Sequence, residues 1–177
     1  MVGLFFRNLI KEKNVLLIKC YLFFWIKMEE NSLEVAKYIQ IAKENYKQGK
    51  IYQANEIYKK LINQKIYTYD LLFSYGLFNK NINNLKIAKN LFVLSIKKYP
   101  SKINSYILLA EILRKENNNS EAIKALHAAK KIEKLNSEID YNLSLTYKTI
   151  RSFKKAILSI DSAIKQQPEN QIYKILK

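Results

Sequence analysis

Four alanines recur at a spacing of 34 residues, and this spacing constrains the fold more than any other feature of the sequence. They are Ala54, Ala88, Ala122 and Ala156. A second set of small residues repeats in the same register, at Ala42, Gly76, Ala110 and Ser144. A fixed period of this length is typical of solenoids, in which each unit packs only on its neighbours. The period predicts four units, over residues 35–68, 69–102, 103–136 and 137–170.

The third unit shows why each repeat is expected to be a helical hairpin. Apolar residues between Asn104 and Glu116 recur at helical spacing rather than in the alternation of a strand. The polar run 117–120 then favours a turn, with Ser120 as the expected N-cap of a second helix over Glu121–Ile132. The sequence therefore predicts an all-α fold, a right-handed α-solenoid of four helical hairpins.

The repeated residues resemble the tetratricopeptide repeat family over residues 35–170. The first unit is similar to the family's turn and second helix, through Gly49 followed by Ala54, Tyr58 and Leu61. The fourth unit matches at Leu143, Tyr147, Phe153, Ala156, Ala163 and Pro168. Three positions depart from the family pattern: Asn79 replaces a common tyrosine, Lys134 a proline and Asp140 an aromatic residue.

The resemblance implies a non-catalytic protein-interaction scaffold that binds a partner segment along the first helices of its hairpins. The matching places hold an apolar row, Ile39, Phe73, Ile107 and Tyr141, beside a basic row, Lys47, Lys80, Arg114 and Lys148. Lys43, Leu77, Asn142 and Leu145 complete the candidate groove. Such a groove suits a protein segment with apolar and acidic side chains. The alternative is that the apolar groups only pack against neighbouring helices.

Two specialised grooves of the family are not expected here. The places of the clamp that holds a C-terminal carboxylate contain Ile39, Lys43, Ser74, Asn104 and Leu108, which offer a single lysine. An asparagine ladder, found in members attached to glycosyl transfer, would need asparagine at the sixth place of each repeat. That place contains Gln40, Ser74, Leu108 and Asn142.

The chain is strongly basic, with a formal net charge of +16. Only 3 of its 31 basic residues are arginines, and the lysine excess together with the asparagine runs indicates codon bias. Nucleic-acid binding would call for aromatic stacking platforms or an arginine-rich face beside the charge. We therefore regard nucleic acid as an unlikely partner and an acidic protein segment as the better fit.

No residue pattern indicates catalysis, a cofactor or a metal site. His127 is the only histidine, Cys20 is the only cysteine, and the three glycines are too scattered to form a phosphate loop. The single cysteine also argues for a reducing compartment, so we expect a cytoplasmic protein. The expected protein is not an enzyme.

Residues 1–30 form an apolar and basic segment outside the repeats, with an apolar run over residues 15–26. Twelve residues are too few to cross a bilayer as a helix, which needs about 20. Three interpretations remain: an interfacial membrane anchor over residues 1–27, a helix capping the first repeat, or codons upstream of a true start at Met28. The first would make the protein a membrane-associated assembly factor.

The repeat phase predicts a truncated fifth first helix over residues 171–177. We expect this short helix to leave Ile157, Ile160 and Ile164 poorly covered, because solenoids usually close with a polar-faced capping helix. This expectation leads to two hypotheses, that the chain is part of a longer protein or that a partner covers this end. An alternative function follows from the first: an N-terminal targeting module of a larger transferase.

Overall fold

The computed structural model describes residues 32–176, which form tandem helical hairpins. The first helix, α1, covers residues 32–47 and is followed by α2 (Ile51–Asn63). The remaining elements are α3 (Tyr69–Asn81), α4 (Leu85–Lys98), α5 (Ile103–Lys115), α6 (Asn119–Ile132), α7 (Ser137–Thr149), α8 (Phe153–Gln166) and α9 (Gln171–Leu176). The chain divides into two compact units, one ending at Ile66 and the other beginning at Tyr67.

The helices repeat with the period of the sequence. The second helices of the hairpins, α2, α4, α6 and α8, begin at Ile51, Leu85, Asn119 and Phe153, each 34 residues after the last. The first helices α3, α5 and α7 and the short α9 begin at Tyr69, Ile103, Ser137 and Gln171, with the same spacing. In the second unit α3 packs on α4, α5 on α6 and α7 on α8, and each hairpin contacts the next through α4–α5 and α6–α7.

Each hairpin turn has the same backbone geometry. One residue in every turn adopts the left-handed conformation, with φ between 58° and 75°: Gly49, Asn83, Asn117 and Arg151. The next residue donates its backbone N–H to a carbonyl five residues earlier, at 2.8–2.9 Å, as in the Schellman motif that closes many helices. The turn needs a left-handed residue, and only Gly49 adopts that conformation without steric cost.

In the first unit, both α1 and α2 carry buried apolar side chains. Ala42 on α1 and Ala54 on α2 are fully buried, and Tyr58 and Leu61 on α2 are nearly so. Burial raises the pKa of Tyr58 to about 12, because the phenolate would lose its hydration in this core.

The second unit contains a continuous series of apolar cores between successive helices. Leu126, Ala129, Ile139 and Leu143 belong to a core that joins buried residues of α5, α6, α7 and α8. Nearer the start of the unit, Gly76 lies against the buried ring of Phe92, and a β-carbon at Gly76 would lie 2.7 Å from Phe92 Cε1. A larger residue at Gly76 would therefore overpack this contact.

Two of the departures from the family pattern are buried and hydrogen-bonded. Asn79 is 1% exposed and donates its side-chain amide to the carbonyl of Tyr75 at 2.9 Å. Asp140, also 1% exposed, accepts hydrogen bonds from Lys130 on α6 and from Ser162 and Gln166 on α8. The carboxylate thus links three helices where an aromatic ring would fill the space in the family.

Three local expectations need correction. The N-cap of α6 is Asn118, whose side chain accepts a hydrogen bond from the backbone of Glu121, so Ser120 lies inside the helix rather than at its cap. Ile160 is only 3% exposed and Ile164 is half-buried, because Tyr173 of α9 packs on this end of α8. Of the three isoleucines expected to be uncovered, Ile157 alone is exposed.

The predictions for residues 1–30 and the choice between Met1 and Met28 lie outside the described residues. Within residues 32–176, no helix has both the length and the apolar character needed to cross a membrane.

Candidate partner-binding surface

In the first unit, the three expected groove residues have different environments. Ile39 is buried, with 4% of its surface exposed, whereas Lys43 and Lys47 on the same helix are exposed to solvent. The two lysines are four residues apart and therefore share one face of α1. The first unit thus offers exposed positive charge at these places.

A cavity of about 530 Å³ lies between α1 and α2 in the same unit. Val35, Tyr38 and Leu61 contribute to its apolar wall, and Glu56 and Lys60 to its polar wall. The Lys60 ammonium lies 5.8 Å from the centre of the Tyr38 ring. This cavity was not predicted, because Tyr38, Glu56 and Lys60 occupy places that the repeat pattern does not distinguish.

In the second unit, side chains from α3, α5 and α7 form what we call the first-helix surface. It consists of Phe73, Leu77, Lys80, Leu108, Glu111, Arg114, Glu138, Tyr141, Leu145 and Lys148. Successive members on each helix are three or four positions apart, so they share one helical face. Glu138 and Lys148 are exposed, and the other members are half-buried.

Aromatic contacts fix the two rings of this surface. Phe73 stacks on Tyr69 with ring centres 5.5 Å apart, and its other neighbour is Phe92 at 6.1 Å. Tyr141 lies 5.0 Å from the buried ring of Tyr173 on α9. Both rings are therefore held in place while part of each remains open to solvent.

The expected apolar row is not a continuous exposed surface. Ile107 is fully buried and Ile39 nearly so, whereas Phe73 and Tyr141 are half-exposed. Side chains at this place in the repeat lie at the boundary between the packed helices and the solvent-exposed surface. The short isoleucine side chain ends within the packed layer, whereas an aromatic ring extends beyond it. Ile39 and Ile107 are thus core residues rather than partner contacts.

The expected basic row also needs correction, because Lys80 forms an ion pair with Glu111 on the neighbouring helix. Its ammonium group is therefore already neutralised within the chain. Arg114 and Lys148 occupy the corresponding places in the next two repeats, half-buried and exposed respectively.

Glu138 lies close enough to this ion pair to respond to it electrostatically. Burial raises the pKa of the Glu138 carboxyl, the negative charge of Glu111 raises it further, and Lys80 acts in the opposite direction. Three successive first helices thus bring one lysine and two carboxylates together. Glu111 was expected on this face at the same place as Leu77, whereas Glu138 was not, although it shares a helical face with Tyr141.

Asn142, another expected groove residue, is buried with 4% of its surface exposed. Its side-chain amide donates to the carbonyl of Glu138 at 2.9 Å. Burial and this hydrogen bond within α7 make Asn142 a structural residue of the helix.

Outside this surface, His127 is exposed and its Nε2 lies 3.1 Å from the hydroxyl of Tyr147. Among residues 32–176, no three histidine, cysteine, aspartate or glutamate side chains lie close enough together to hold a metal ion.

The chain is similar to known proteins in its fold. No protein-family model matches the chain, and no curated protein matches its sequence. Solved structures of MamA match with a TM-score of 0.71 at 19% identity, over 78% of this chain and 76% of that protein. A MamA fragment from Desulfovibrio magneticus RS-1, covering residue 41 to the end, gives a TM-score of 0.69 at 19% identity, over 78% of each chain.

A third similar structure belongs to the APC/C hetero-tetramer Cut9–Hcn1. It has a TM-score of 0.67 and 21% identity, and it matches 78% of this chain but 28% of that one. These neighbours consist of tetratricopeptide-type helical hairpins, as does the chain described above. The expected all-α solenoid is therefore confirmed, and the chain has the tetratricopeptide repeat fold.

Proposed function

We propose that this protein is a non-catalytic interaction scaffold that holds a segment of a partner protein on the first-helix surface. The observation that carries the proposal is the partial exposure of Phe73, Leu77, Tyr141 and Leu145 on two first helices, α3 and α7, of one compact unit. Partly exposed apolar side chains in fixed positions are suitable anchors for an extended or helical segment. The fold supports this proposal, because Cut9–Hcn1 is itself an assembly of several chains.

The charge on the surface suggests how a segment would be oriented. Arg114 and Lys148 are available beside the apolar groups, so acidic side chains of the segment would lie near them. Charges at the rim of an interface influence the association rate and orientation more than the affinity. We therefore assign affinity to the apolar contacts and orientation to the two basic residues. The proposal assumes the cytoplasm as the compartment, because the chain has a single cysteine.

The proposal can be tested with random peptides of about a dozen residues displayed on phage and selected on the full-length chain. We expect enriched peptides to bind the parent protein and to lose roughly tenfold or more in affinity for Phe73→Ala. Leu158→Ala is the matched control, since Leu158 is 64% exposed on α8 and lies outside the surface. Thermal melts of both variants would verify that each is folded.

Equal binding of the enriched peptides to the parent and to Phe73→Ala would show that they bind elsewhere. The first-helix surface would then lose its proposed role.

A further inference from the structure

The first-helix surface has a charge arrangement that the basic row alone does not describe. Lys80 on α3 and Glu111 on α5 form an ion pair, with 17% and 24% of the two side chains exposed. Glu138 on α7 lies close enough to interact electrostatically with both charges. The cluster thus contains one cation and two carboxylates at neutral pH, and it has a net charge of one negative unit.

Lys80, the cation of the cluster, is already paired within the chain. Lys80 bonds to Glu111, so only part of its field reaches Glu138, and the negative charge of Glu111 opposes it. Glu138 is exposed, but the protein beside its carboxyl still displaces some of the water that would stabilise the negative charge. A second cation placed at Glu138 would correct the imbalance.

Apolar groups flank the charged cluster on each helix. Leu77 precedes Lys80 by three residues, Leu108 precedes Glu111 by three, and Tyr141 follows Glu138 by three. All three apolar side chains are half-buried. A ligand of this surface would therefore meet apolar side chains together with the Glu138 carboxylate, whose neighbouring cation, Lys80, is already paired with Glu111.

We propose that the segment held on the first-helix surface carries a lysine or arginine between apolar residues, and that this cation pairs with Glu138. The inference rests on the proposed function and adds a chemical requirement to it. A segment with acidic and apolar residues alone would satisfy Arg114 and Lys148 but would leave Glu138 uncompensated. Burying that carboxylate beneath a partner would then cost binding energy.

The same displayed random peptides test this inference when they are selected in parallel on the parent chain, Glu138→Gln and Glu138→Lys. Glutamine retains the shape of the side chain and removes its charge, and lysine reverses the charge. Glu169→Gln is the matched control, because Glu169 is exposed after α8 and lies outside the surface. Circular dichroism would verify that every variant is helical before selection.

We expect peptides enriched on the parent and on Glu169→Gln to carry a lysine or arginine flanked by apolar residues. The basic preference should disappear on Glu138→Gln, while the apolar preference remains. On Glu138→Lys it should change to a preference for aspartate or glutamate. A synthetic peptide from the parent selection should bind Glu138→Gln roughly tenfold more weakly than the parent.

The selections distinguish failure of the inference about Glu138 from failure of the proposed function. If the enriched peptides depend on Phe73 but show no basic preference, or show the same preference on Glu138→Gln, the inference about Glu138 is wrong and the proposed function stands. If no peptide is enriched on the parent chain, or if binding is insensitive to Phe73→Ala, the proposed function is wrong and the inference fails with it.

Discussion

At the scale of single residues, the hairpin turns show how one backbone requirement is met by different side chains. The same left-handed position contains glycine once, asparagine twice and arginine once. Asparagine tolerates this conformation better than other non-glycine residues, because its short polar side chain can form local hydrogen bonds. Arg151 has no such advantage, so the last turn is the most strained of the four.

Replacement of Arg151 by glycine is expected to stabilise the last hairpin. Relief of the left-handed strain is worth roughly 1–2 kcal/mol, and the greater entropy of glycine in the unfolded chain offsets part of it. We expect a net gain of roughly 0.5–1 kcal/mol, measured as a higher midpoint of urea unfolding. Arg151→Gln controls for the loss of charge, since it leaves the backbone strain in place. Equal gains in the two variants would assign the effect to charge instead.

The Glu138 carboxyl makes stability depend on pH. Its pKa is raised in the folded protein, so the folded state holds this proton more tightly than the unfolded chain does. The corresponding stabilisation is present below the ordinary pKa of glutamate and is lost as the pH rises through the raised value.

Glu138→Gln removes this dependence. The melting temperature of the variant relative to the parent should therefore increase between about pH 4 and about pH 7. Thermal melts of both proteins across that range provide the measurement. The opposite trend would mean that the favourable interaction of a carboxylate with the start of α7 outweighs burial and the repulsion from Glu111.

At the scale of helices, the polar contacts of Asp140 distinguish the last hairpin from the others. Ser162 and Gln166 donate to its Oδ2 at 2.6 and 2.8 Å, and Lys130 donates to its Oδ1 from the preceding hairpin. The carboxylate therefore fixes α6 and α8 relative to α7, in addition to the apolar contacts among them. Such bonds define which helices pack together more than they add to net stability.

Asp140→Ala should destabilise the protein by roughly 1–3 kcal/mol, because it removes the acceptor of the part-buried Ser162 hydroxyl and one acceptor of the Gln166 amide. Lys130 is partly exposed and regains water, which limits the loss. Urea unfolding followed by circular dichroism measures the effect, with Glu169→Ala as an exposed control on the same part of the chain. A change in Asp140→Ala no larger than in the control would indicate that the network is dispensable.

At the scale of the whole molecule, stability in a repeat fold is distributed among local contacts between neighbouring units. The last hairpin depends on the short helix α9, whose Tyr173 is 6% exposed and packs with Ile160 and Ala163. The same ring supports Tyr141 of the first-helix surface. This end of the molecule thus connects local stability with the proposed binding surface.

Tyr173→Ala should cost roughly 3–5 kcal/mol within the last hairpin, as expected for removing a buried aromatic ring. Hydrogen exchange should accelerate in α7 and α8 and remain unchanged in α1 and α2, because the two pairs belong to separate compact units. Tyr52→Ala is the control, since Tyr52 is 74% exposed. Faster exchange throughout the chain would show that the molecule unfolds as a single cooperative unit.

The helical hairpins can be predicted from the amino-acid sequence, because their period depends on residues that act locally. Small residues such as Ala54 and Ala88 permit close helix contact, and polar residues such as Asn117 stop a helix and allow a left-handed turn. These effects repeat every 34 residues and can therefore be recognised without coordinates. The departures at Asn79 and Asp140 were visible as well, although their hydrogen-bond partners were not.

The accessibility of the groove residues depends on tertiary contacts, which the repeat pattern does not specify. Ile107 and Phe73 occupy the same place in successive repeats, yet the isoleucine is buried and the ring is partly exposed, because side-chain length decides which of them extends beyond the packed layer. Lys80 and Arg114 likewise share a place, but Lys80 is paired with Glu111. That pairing, and the position of Glu138 beside it, joins residues up to 58 positions apart. Distances between neighbouring helices, rather than the period of the sequence, determine such contacts.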